Sequence, residues 1–221
     1  MKKFAVVLAG CGVYDGAEIH EATLALLAIH QAGATYECFA PDKEQHHVIN
    51  HLTGEVMQEK RNVLVESARI ARGNIKALNE YNAANFDALL FPGGFGAAKN
   101  LSSVAFDGAS ATVDQEVERA IRDTHAAGKP IGAMCIAPTF LVKVLGDIMV
   151  TIGNDEGTIG AIETMGGQHV ETGHGDVVYD AENNIFSTPC YMLDATIGEI
   201  MEGAENLVNA MMGDLNDEGE E

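Results

Sequence analysis

The sequence predicts an α/β protein, a three-layer α/β/α sandwich in which helices cover both faces of a mostly parallel, doubly wound sheet. Three observations predict it. Continuous apolar runs of strand length occur at 3–9, 86–91 and 130–135, the pattern of strands buried on both faces. Segments of helical spacing alternate with these runs, as βαβ connections require. The runs end in glycine-rich turns at Gly10–Gly16 and Gly93–Gly94, or pass straight into a helix at Cys135, and the carboxyl ends of strands are where such sheets bind ligands.

The first strand is read over Lys3–Ala9 and stops at Gly10-Cys11-Gly12. Its glycine spacing departs from the G-x-G-x-x-G dinucleotide pattern, so NAD binding finds little support. Asp15 followed by Glu18 reads as an N-cap signature opening a helix to about Gln31, closed by Gly33. Within that helix Glu18 fits a dipole-facing role in the first turn, while Glu21, deeper and flanked by His20 and Ala22, is the better candidate for a partly buried functional carboxylate. Thr35–Ala40 is the second strand, with Cys38 in the core. A polar excursion over 43–62 follows, of the kind that forms a lid or an interface arm. His46, His47 and His51 fall within it, without acidic or cysteine partners at ligand spacing, and are read as loop histidines rather than a metal site.

Helical spacing resumes over Val63–Arg72, and Phe86–Phe91 is a buried strand ending at Pro92-Gly93-Gly94. Consecutive glycines there either form a plain tight turn or turn amide N–H groups toward a ligand. Thr112 with Gln115 reads as the cap of an amphipathic helix that ends near Ala127-Gly128. Beyond the elbow, strands are read at 149–152, 169–170, 176–179 and 184–187, with helices over 159–165 and about 193–212. The chain is thus one domain over 1–213, followed by an acidic tail at 214–221 expected to be disordered.

The stretch Pro130–Thr139 carries the most chemistry. A strand that becomes a helix with no spare loop residues aims the residue at the turn, Cys135, above the first amides of that helix, as in a nucleophile elbow. The helix N-terminus there favours a thiolate, which makes Cys135 the candidate nucleophile. The alternative is a small buried hydrophobe at a strand end.

Charge excludes some partners. With 13 Lys+Arg against 33 Asp+Glu the net charge is −20, which repels nucleic acid and anionic membrane surfaces. Met1–Leu8 starts like a signal peptide, but Gly10 and Gly12 halt the apolar run and no cleavage site follows; a cytoplasmic location is expected. The four cysteines are far apart and lack a C-x-x-C pair, so they are read as reduced thiols.

Longer motifs carry a family resemblance. Ala9-Gly10-Cys11-Gly12-Val13-Tyr14-Asp15-Gly16 leading into Glu18-Ile19-His20-Glu21, Asn50–Glu55, Pro92–Leu101 and Met134-Cys135-Ile136-Ala137-Pro138 together resemble the enhancing-lycopene-biosynthesis branch of the ThiJ/PfpI superfamily, also called the isoprenoid biosynthesis glyoxalase family and related to class I glutamine amidotransferases. The resemblance implies a flavodoxin-like fold and a homodimeric, cytosolic glyoxalase that converts glyoxal to glycolate with no cofactor and no metal. It assigns Cys135 as nucleophile, Glu21 as the paired carboxylate, and the amides of Gly94 and Ile136 as oxyanion donors. Many relatives carry histidine directly after the cysteine; here that position is Ile136. The change removes the obvious general base, makes peptidase or amidotransferase chemistry doubtful, and leaves His20 or His51 as possible auxiliaries to a slow enzyme acting on a small aldehyde. A deglycase of early glycation adducts, a redox sensor using the same thiol, and a binding module using the 43–62 excursion stay open beside it.

Overall fold

Nine strands and eight helices appear in the computed structural model, which describes residues 1–217. The first is β1 (Lys3–Val7), whose Phe4–Val7 are fully buried. It is followed by α1 (Ile19–Gln31), β2 (Thr35–Ala40), α2 (Val63–Ile70), β3 (Ile75–Ala77) and β4 (Ala88–Phe91). Two short helices, α3 (Phe95–Lys99) and α4 (Val104–Asp107), precede α5 (Gln115–Ala126) and β5 (Ile131–Met134). The remainder comprises α6 (Pro138–Leu145), β6 (Met149–Val150), α7 (Glu156–Thr164), β7 (Gln168–His169), β8 (Val178–Asp180), β9 (Ile185–Thr188) and α8 (Ile197–Asp217).

Seven strands form one sheet in the order β3-β2-β1-β4-β5-β9-β8, while β6 and β7 pair separately. All pairs in the large sheet are parallel except β8 with β9. Without its edge strands the order β2-β1-β4-β5-β9 is the flavodoxin-like 2-1-3-4-5, in which ligands bind where the winding direction reverses, beyond the ends of β1 and β4. On one face α1 packs against α8, and on the other α5 packs against α6 and strands β4 and β5. Gly132 in β5 faces Met211 of α8, and a Cβ there would lie 2.6 Å from its sulfur. The absent side chain therefore fixes how closely that helix seats on the strand carrying Cys135.

Several boundaries differ from the sequence reading, each because a distant partner intervenes. Asp15 does not cap α1; its carboxylate accepts the Ile49 amide at 2.7 Å, and Glu18 caps the helix by accepting Glu21 N–H at 2.7 Å. Asp114, not Thr112, caps α5. The edge strand β3 had no apolar run to announce it. The 43–62 excursion contains no helix; isolated bridges close it at Glu44 with Asn62 and at Ile49 with Val56, and Asn100 anchors it by accepting the His46 amide. Residues 214–217, expected in a disordered tail, continue α8: Leu215 is buried and Asp214 accepts hydrogen bonds from Tyr179 and Asn184. Residues 218–221 of that tail lie outside the described residues.

Candidate active site

Cys135 follows the last residue of β5 with φ 60°, a left-handed backbone that costs a non-glycine residue about 1–2 kcal/mol. The strain is held from both sides: Cys135 N–H donates to Thr188 O of β9, and Ala137 N–H to Met134 O. Pro138 then opens α6 in the position where a missing N–H costs nothing. The predicted elbow is therefore present, and its backbone amides at Gly94 and Ile136 donate to the sulfur.

Burial works against the thiolate that the helix N-terminus was expected to favour. The Cys135 side chain forms the floor of a pocket and the residue is only 7% exposed. Burial first, then the Glu21 carboxylate beside it, push the thiol well above its ordinary value and outweigh both amides. The thiol instead hydrogen-bonds to Glu21.

Glu21 is fully buried. Its Oε2 accepts Gly93 N–H at 2.9 Å and its Oε1 accepts Tyr191 N–H at 3.2 Å. Burial raises its carboxyl to about 7, with help from the neighbouring Glu18, while the Tyr191 amide, the Cys135 thiol and the Gly93 amide pull the other way. A carboxyl poised near neutrality beside a thiol can take a proton and return it. Gly93 has no room for a side chain: a Cβ would sit 2.3 Å from Cys135 Cβ and 2.7 Å from Glu21 Oε2. Its carbonyl also accepts Glu18 N–H at 2.9 Å, so the diglycine turn grips the start of α1 at two points. At the far end of the site Cys190 has φ 44°, and this reversed backbone turns the next amide, that of Tyr191, toward Glu21.

The pocket above the sulfur has a volume of about 320 Å³. Val13, Gly94, Phe95, Ile136, Tyr191 and Met192 line it, together with Glu18, Asp155 and Thr158. Of the residues singled out in the sequence, Cys135, Glu21, Gly94 and Ile136 come together here. The two auxiliary histidines do not join them. His20 Nδ1 meets Tyr191 Oη at 2.8 Å on the outer surface, and His51 Nε2 accepts Tyr14 N–H at 3.2 Å while its ring stacks on Tyr14. Among the described residues no group of three or more His, Cys, Asp or Glu side chains is arranged to hold a metal ion. Sequence reasoning missed Gly93 as a holder of Glu21, and Tyr191, Met192, Asp155 and Thr158 as walls. Asp155 alone left a local signal, as the N-cap of α7 that accepts Thr158 N–H.

No protein-family model matches the chain. Among curated proteins it is similar to the mitochondrial ES1 protein homolog of Rattus norvegicus, 44% identical over 220 residues, covering 95% of this chain and 83% of the relative. It is similar also to the mitochondrial glutamine amidotransferase-like class 1 domain-containing protein 3 of Homo sapiens, 45% identical over 220 residues, covering 95% of this chain and 82% of that one. Among solved structures, an isoprenoid biosynthesis protein with an amidotransferase-like domain from Ehrlichia chaffeensis superposes with a TM-score of 0.91 at 39% identity, over 96% of this chain and 99% of that one. A DJ-1 superfamily protein of Salmonella typhimurium shares the fold at 22% identity and TM-score 0.61, over 100% and 97% of the two chains. Both curated relatives are mitochondrial, which overturns the cytoplasmic location expected from the sequence. The residues behind that expectation, Lys3–Val7, are spent on the central strand β1, so the brevity of their apolar run carries no information about targeting.

Proposed function

This chain belongs to the ES1 family of glutamine amidotransferase-like class 1 domain proteins, within the DJ-1/ThiJ/PfpI fold, and from that premise we propose that it is a cofactor-independent glyoxalase in which Cys135 and Glu21 convert glyoxal to glycolate. One observation carries the reading: the Cys135 thiol hydrogen-bonds to a buried carboxylate that titrates at about 7. Glu21 is thus the base that the replacement of histidine by Ile136 had left unassigned.

Glu21 takes the thiol proton as sulfur adds to one aldehyde carbon; the carbonyl electron pair moves to oxygen, which receives the proton back, and a hemithioacetal results. Glu21 then removes the hydrogen on that carbon, and the electrons form an enediol with the neighbouring carbonyl. Return of that proton to the second carbon, with transfer of the hydroxyl proton from the first carbon's oxygen to the second's, leaves a glycolyl thioester on Cys135. Water cleaves it, releasing glycolate and the thiol. Glyoxal plus water has become glycolate with no external oxidant. The amides of Gly94 and Ile136 stand at the sulfur to stabilise the oxyanion of each addition. Amidotransferase or peptidase chemistry is less well supported, since no histidine lines the pocket. A redox sensor would need an exposed, readily ionised thiol, and a buried thiol hydrogen-bonded to a carboxyl suits base-assisted addition better.

Glyoxal consumption with glycolate detection tests this. Cys135→Ser should abolish product, and Glu21→Gln should lower turnover by about 10²–10⁴-fold, the usual worth of general acid–base help, while its thiol still reacts with a small alkylating agent. Undiminished glycolate formation by either variant, or none by the wild type, would overturn the proposal.

A further inference from the structure

The pocket walls say more about the substrate than its chemistry does. A cavity of about 320 Å³ is several times what glyoxal fills, since one water takes about 30 Å³ of liquid volume. Its charged lining is all of one sign: Glu18 and Asp155 face it, Glu21 lies beneath, and no lysine, arginine or histidine lines it. Lys99 stands close by without entering, its ammonium 5.0 Å from the Phe95 ring centroid and donating to Tyr14 O. Glu18 is the telling residue. It is only 8% exposed; its Oε2 accepts the Glu21 amide, and its Oε1 has no hydrogen-bond partner among the described residues. That oxygen opens onto the cavity, where a donor on a bound molecule can reach it. Phe95, whose ring already carries the Lys99 ammonium, and Tyr191 are the aromatic residues of the same wall, and aromatic rings are common companions of a carboxylate where a cation is received.

We propose that this pocket selects carbonyl substrates bearing a cationic nitrogen, an ammonium or guanidinium group, with Glu18 as the specificity-determining anchor and Asp155 as a second carboxylate at the mouth. The inference rests on the reading of Cys135 as the residue that adds to the carbonyl. Glu18 would accept N–H donors from the cation while Val13, Ile136 and Met192 pack the chain between it and the carbonyl. Carboxylate- or phosphate-bearing aldehydes would meet the like charge of Glu18 and Asp155 and be disfavoured.

Charge-selective labelling of Cys135 tests this without turnover. The 2-aminoethyl, 2-hydroxyethyl and 2-sulfonatoethyl methanethiosulfonates transfer their thioalkyl group to a thiol, forming a mixed disulfide and releasing methanesulfinate, and differ chiefly in charge. Rates are read by mass spectrometry on the Cys135 peptide, with Cys11, which lies outside the pocket, as reference. The aminoethyl reagent should label Cys135 at least about tenfold faster than the hydroxyethyl reagent, the order expected for an ion pair in a partly desolvated site, and the sulfonatoethyl reagent slowest. Cys11 should show a smaller preference. Glu18→Gln, which keeps an oxygen to accept the Glu21 amide, should collapse the ratio at Cys135; Glu205→Gln, an equal charge change on the exposed side of α8, should not. If Glu18→Gln does not fold, Asp155→Asn serves, because asparagine still caps α7, and it should reduce the ratio in part. Equal ratios at Cys135 and Cys11, or a ratio unchanged in the Glu18 variant or its Asp155 substitute, would overturn the proposal. Loss of glycolate formation with the ratios intact would instead overturn the glyoxalase reading alone.

Discussion

Glu21 is buried without a cation, and that fact sets both the chemistry and the pH response. Its folded carboxyl titrates at about 7 against an ordinary 4.5. Raised folded affinity for the proton stabilises the fold at low pH, and this contribution is lost as pH rises through about 7; a shift of this size corresponds to about 3 kcal/mol. Urea midpoints at pH 5 and pH 8 should therefore fall further apart for the wild type than for Glu21→Gln, the difference between the two proteins isolating this group. The same carboxyl must be ionised to take the thiol proton, so the glyoxalase rate should climb through about pH 7, and a rate flat from pH 6 to pH 8 would remove Glu21 as the base. The identities of these residues were legible, because a cysteine between a strand and a proline-opened helix, and a glutamate one turn into α1, are local patterns. The charge of the sulfur was not. It depends on Glu21, a residue 114 positions away in sequence, and on burial by the folded chain, neither of which any local window contains.

At the scale of elements, caps and ends were the poorly legible part. Asp15 had every local qualification to cap α1, yet the amide of Ile49 claims it from the 43–62 excursion. The acidic composition of 214–217 suggested disorder, while one apolar residue in it, Leu215, is 4% exposed and seats the last turn of α8. Chain truncation after Gly213 should therefore lower stability by about 2–3 kcal/mol, the worth of one buried leucine, read as a shift in urea midpoint; an unchanged midpoint would mean that the final turn contributes nothing. The long apolar strands β1, β4 and β5 were readable because burial on both faces leaves an unbroken run. The three-residue β3 is too short to show any period, while β6 and β7, read as strands at 149–152 and 169–170, are shorter than that reading, and their pairing with each other had no local signal.

The whole molecule carries a charge of −20, which draws cations toward every part of its surface, whereas the pocket exerts its own local preference. Salt separates the two. Raising ionic strength from about 0.01 to 1 M shrinks the Debye length from about 30 to about 3 Å, so labelling of Cys11 by the aminoethyl reagent should slow severalfold while the preference at Cys135 persists. A preference at Cys135 that vanished with salt would belong to the surface. Sheet layout was largely legible at this scale, since alternating strands and helices leave few windings, but the separate β6–β7 pair and the antiparallel β8 were not. The bond from Tyr191 N–H to Glu21 spans 170 positions, and its consequence concerns timing. A nascent chain already holds its nucleophile once residue 135 is made, but the second of the two amides that hold Glu21 arrives only with the segment around residue 191. A chain cut before residue 191 would keep the Gly93 amide on Oε2 of Glu21 and lose the amide on Oε1.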